Sequence, residues 1–134
     1  MCLVDLDLIL LSPLQQWPDD WACDCPPKMH VFASGLRDLF RGFLLDLFKN
    51  GRSTSTIRRH RNELHTLGYE CIRSLVVGSE SRVPADARSY LASLYLDQGG
   101  PLLSIKGSTE RDQVQFDTTC RALARWMASQ RIGA

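Results

Sequence analysis

Several things are scarce in this chain of 134 residues, and each shortage excludes something. An excess of one charge is missing: 16 Lys and Arg stand against 15 Asp and Glu, a net charge of +1, which is unlike a solvated acidic or basic tail. Nine Gly and six Pro are too few for a collagen or a low-complexity chain. Five cysteines, Cys2, Cys23, Cys25, Cys71 and Cys120, form an odd and sparse set that does not suit a disulfide-stapled secreted scaffold, so the expectation is a reducing cytoplasm. The apolar opening carries Asp5 and Asp7 where a secretory signal has positive charge. It also falls far short of the roughly 20 apolar residues of a membrane helix, and no other run comes closer. No G-x-S-x-G, no phosphate-cradling glycine loop and no Cys, His and acid at helical spacing occurs, so the expectation is a protein without catalytic residues or cofactor.

What is present is one domain's worth of chain, long enough to bury a core without staples. Its charge is divided unevenly. Residues 1–27 hold Asp5, Asp7, Asp19, Asp20 and Asp24 with no Lys or Arg, which leaves residues 28–134 with 16 bases against 10 acids, a basic body of +6. A basic body favours polyanionic partners. Pro13, Pro18, Pro26 and Pro27 break up residues 1–27, and the expectation there is an irregular extension in which residues 3–10 form a strand or a short docking helix.

Beyond Pro27 the pattern turns helical. Phe32, Leu36, Leu39, Phe40, Phe43, Leu44, Leu47 and Phe48 recur at steps of three and four, and Asn50-Gly51 ends the run. Ser53 is a good N-cap for a second helix over residues 54–75, in which Ile57, Leu64, Leu67, Cys71, Ile72 and Leu75 keep step through Gly68; a break at that glycine is the alternative. Pro84 suits the first turn of a third helix with Ala87, Tyr90, Leu91, Leu94 and Tyr95, ending at Gly99-Gly100-Pro101. Ser108 or Thr109 caps a fourth, with Phe116, Cys120, Leu123, Ala124 and Met127 inward. The reading is an all-α chain: a four-helix bundle over residues 28–134 behind the irregular extension.

The densest basic stretch is Lys49, Arg52, Arg58, Arg59, His60 and Arg61, with no acid from Lys49 to Arg61. At 100° per residue Arg58, Arg61, Asn62 and His65 share one face, whereas Arg59 stands four before Glu63 and can pair with it. Arginines on such a face can clamp phosphates, and asparagine is a type that reaches an adenine edge; the bland alternative is a solvated helix surface. His65 is expected to be exposed and His60 half-buried in packing. On the fourth helix Arg121 and Arg125 offer a second basic surface, or simply complement the helix dipole. Cys23-Asp24-Cys25 with His30, and Cys2 as a distant fourth, lacks the second ligand pair of a structural zinc site, so no metal is expected; Cys71 and Cys120 read as core.

The segment from Leu36 to Phe48, the glycine turn, and then the pattern S-x-x-T-I-x-x-[YH]-x-x-x-L-x-x-L carried by Ser53, Thr56, Ile57, His60, Leu64 and Leu67 resembles the start of the core-binding, SAM-like domain of tyrosine recombinases and phage integrases. Residues 82–97 and 110–126 would correspond to that domain's third and fourth helices. The resemblance implies half of a clamp around double-stranded DNA, contacting mainly backbone with low sequence specificity, through Arg58, Arg61 and Asn62 and also Arg121 and Arg125, with Arg52 and His65 beside them. The family's catalytic residues lie in a separate domain, and neither Tyr90 nor Tyr95 stands in their setting, so recombination activity is not implied. The rival expectation is a protein-interaction module in which residues 3–11 with Trp17 and Trp21 dock on a partner or a second copy.

Overall fold

Two consecutive prolines start the first long helix. Pro26, with φ −59° and ψ 157°, keeps the chain extended, and Pro27 supplies a preset φ at a position whose N–H has no intrahelical acceptor. The computed structural model describes residues 11–77, 83–104 and 107–132, with residues 131 and 132 as backbone only. Among them lie five α-helices and no strand: α1 (Trp17–Ala22), α2 (Pro27–Lys49), α3 (Thr54–Val77), α4 (Ala87–Ala92) and α5 (Glu110–Ile132), with 3-10 turns at Ser12–Gln16 and Leu96–Gln98. No helix among the described residues is long and apolar enough to cross a membrane.

The apolar stripe of α2 is buried at Phe32, Leu36, Phe40, Phe43, Leu44 and Leu47. Its end is a Schellman cap. Arg52 N–H donates to the Leu47 carbonyl at 3.0 Å and Gly51 N–H to that of Phe48 at 3.1 Å, which requires the φ of +77° that glycine adopts at Gly51 without strain. The next helix begins at once. Ser53 Oγ accepts the Thr56 N–H at 3.2 Å, and α3 then runs unbroken through Gly68 to Val77. On α5 a reciprocal cap forms: Asp112 N–H donates to Thr109 Oγ1 at 3.1 Å and Thr109 N–H to Asp112 Oδ2 at 2.9 Å. Phe116, Cys120 and Leu123 are fully buried on its inner face.

Two expectations need correction. Residues 12–22 are not an irregular lead-in. They are helical, and Leu11, Leu14, Trp17, Trp21 and Ala22, at near-helical spacing, belong to the same core as α2 and α3. Pro13 and Pro18, read from sequence as breakers, each occupy a first-turn position where proline is tolerated. The core is therefore continuous across residue 27. Residues 1–10, the place of the expected strand or docking helix and of Cys2, lie outside the described residues, as does most of the linker around residues 78–82. The third helix is also shorter than expected. Pro84 lies before it and not in its first turn: Asp86 caps it by accepting the Ser89 N–H at 3.0 Å, and it ends at Ala92 before Tyr95 enters the left-handed region at φ +53°.

A loop packs the far end of α3 against α5. Glu70, only 5% exposed, accepts the Ser104 N–H at 2.7 Å and the Ser104 hydroxyl at 2.8 Å, while Gln113 holds the Pro101 carbonyl and the Leu103 N–H. A buried carboxylate stripped of a donor loses solvation it cannot regain, so Ser104→Ala is expected to lower stability by about 1–2 kcal/mol. Urea unfolding checks this as a lower midpoint at unchanged slope.

Candidate nucleic-acid interface

The two flanks of α3 face different neighbours, and that decides which of its polar residues are free. His60 and Glu63 lie on the flank turned to α5. His60 is buried, its Nδ1 2.7 Å from Thr119 Oγ1 and its ring edge-on to Phe43. Burial, with Arg59 and Arg52 adding repulsion, lowers its pKa to about 4. His60, expected to be half-buried in packing, is buried at 7% exposure. The Glu63 carboxyl is raised by burial and by Asp112, and Arg59 opposes the rise.

The opposite flank carries Arg58, Arg61, Asn62 and His65. Arg58 and Asn62 are exposed. Arg61 is half-buried and donates through Nε and Nη2 to Asn62 Oδ1 at 3.3 and 3.1 Å, which orients the amide; burial and the neighbouring Arg58 hold its guanidinium below the ordinary value. His65, expected to be exposed, has a side chain 44% accessible, yet it is held by neighbours on one side. Its ring packs on Trp17 and Trp21 at centroid distances of 5.4 and 6.0 Å, its carbonyl accepts from Trp21 Nε1 at 3.0 Å, and its Nε2 stands 3.6 Å from Asp20 Oδ2. The acidic helix α1 thus flanks the His65 end of this face, where the imidazole stays 44% accessible. The same burial removes Trp17 and Trp21 as anchors for a docking partner.

At the other end the face stays open. Lys49, Arg52, Arg58 and Arg59 are exposed around the first turns of α3, and none of them has a carboxylate within 4 Å among the described residues. Arg52 sits in the turn between α2 and α3, close enough to His60 to act on its charge.

Arg121 and Arg125 are exposed on α5, yet they do not join this face. Thr119 marks the side of α5 that meets α3, and Arg121 follows it by two residues, about 200° around the helix. Arg58 and Asn62 are likewise about 200° from His60 on α3. The two basic sets therefore point away from the α3–α5 contact in different directions.

The thiols are core or loop. Burial, then the charge of Glu70, pushes Cys71 up to about 12, and burial raises Cys120 further. Cys23 is exposed and Cys25 half-buried in the turn after α1, while His30 has Nδ1 3.8 Å from Asp19. Among the described residues no three His, Cys, Asp or Glu side chains are grouped to hold a metal ion.

Sequence reasoning missed the contribution of α1, although Leu11, Leu14, Trp17 and Trp21 carry its helical spacing. The bonds from Glu70 to Ser104, 34 residues apart, leave no signal in the sequence. No protein-family model, curated protein or solved structure matches the chain.

Proposed function

We propose that this all-helical protein is a non-catalytic, cytoplasmic DNA-binding domain that holds double-stranded DNA by its phosphates with low sequence specificity, in the manner of the recombinase and integrase core-binding domains its second and third helices resemble. The observation that supports this reading most is the open cluster of Lys49, Arg52 and Arg58, three exposed cations with no carboxylate within 4 Å among the described residues, with exposed Arg59 beside them sharing its charge with Glu63. Arginine side chains free of internal partners keep all their donors for phosphate oxygens. Asn62, held by Arg61 next to Arg58, supplies a polar group at the same surface.

The reading distinguishes the two basic sets. Arg52→Ala with Arg58→Ala should weaken binding to a labelled duplex about tenfold or more at low salt and reduce the slope of log K against log salt by about 2, since each lost phosphate contact removes about 0.9. Arg121→Ala with Arg125→Ala should have a clearly smaller effect on both. If the two pairs weaken binding equally, diffuse charge and not this surface holds the DNA.

A further inference from the structure

We infer that the carboxylates of α1 close the basic face at its His65 end, so that a bound duplex crosses the first turns of α3 instead of running along the helix. This rests on the DNA-binding reading above. Along the helix Arg58 stands about 6 Å from Asn62 and only about 10 Å from His65. That second distance is about one Debye length at 0.1 M salt, so a phosphate held by Arg58 still feels the charge beside His65.

That charge is Asp20, 3.6 Å from the His65 imidazole, with Asp19 next to it beside His30. Both carboxylates are at least half exposed, with side chains 50% and 74% accessible, and therefore face the solvent through which DNA approaches. The helix that carries them is anchored. The indole of Trp21 on the same short helix is bonded to the His65 carbonyl at 3.0 Å and sits against Gly68, where even a Cβ would have no room. A duplex laid along α3 past Asn62 would bring its phosphates to these negative charges, and His65 already has an anionic neighbour in place of a phosphate.

Two single substitutions of equal charge change test this in the full chain. Asp20→Asn removes the carboxylate at His65. Asp24→Asn removes an exposed carboxylate of the same segment in the turn past the end of α1. Binding to a generic labelled duplex is followed by fluorescence anisotropy across a salt series, with the thermal midpoint of each variant checked to show that the fold is retained. Asp20→Asn should tighten binding roughly threefold at low salt, an advantage that shrinks as added salt screens the carboxylate, while Asp24→Asn should change affinity by much less. Equal effects of the two, or none at Asp20, would overturn the inference while leaving the DNA reading in place. A parent chain that binds no duplex even at low salt would instead overturn the reading on which it rests.

Discussion

Gly68→Ala should destabilise the protein by about 3–5 kcal/mol, against the direction that helix propensity alone gives. An alanine in a helix interior is worth about 1 kcal/mol over glycine, so at an open position this substitution would stabilise. Here a Cβ on residue 68 would stand 2.1, 2.3 and 2.4 Å from three ring atoms of Trp21. The methyl and the indole cannot share that volume, and α3 cannot move away because its neighbours Leu64, Leu67 and Ile72 are almost wholly buried. The indole must leave. It then loses its own burial, its edge-on contact with Phe40 and its hydrogen bond to the His65 carbonyl. Trp21→Ala alone should cost a similar amount, and in that background Gly68→Ala should become neutral or stabilising, as propensity then acts unopposed. Denaturant unfolding of the four proteins measures this cycle. A Gly68→Ala protein as stable as the parent would mean that α1 does not seat on α3 as described.

The second large effect is acid instability centred on His60. Its folded pKa of about 4 lies below the ordinary value of 6.5. The unfolded chain therefore binds a proton between those values that the folded chain refuses, so the contribution of His60 is complete above pH 6.5 and is lost as pH falls toward 4. The loss amounts to about 3 kcal/mol, because the imidazolium would have to form among Phe43 and Thr119 with Arg52 and Arg59 nearby. Glu63 acts in the opposite sense: its raised pKa means that acid relieves part of the penalty of its buried charge. The net expectation is a falling urea midpoint from pH 6.5 to pH 4, with the His60 ring followed by NMR staying neutral until near the lower value. A ring that titrates near 6.5 would show that it is neither buried nor opposed by those arginines.

The three long helices were legible because each has a full apolar stripe and a recognisable end: Pro27 and Gly51 for α2, Ser53 for α3, Thr109 for α5. The short α1 was not, because its prolines carry the same local signal whether they break a helix or open one. With α1 unread, the neighbours of His65 were unread too. Spacing puts His65 on the face of Arg58 and Asn62, but only the packing of Trp17 and Trp21 shows that one side of its ring is held by α1. Periodicity within one helix likewise finds Arg121 and Arg125 on a polar side of α5, yet it contains nothing about how α5 is rotated relative to α3, which the His60–Thr119 contact fixes.

The open arginine face either holds phosphates or it does not. The measurement is anisotropy of a generic labelled duplex titrated with the full chain at low and at near-physiological salt. Binding at low salt that weakens by an order of magnitude or more with added salt is the expected result. No binding at low salt, or binding that salt leaves unchanged, would contradict it.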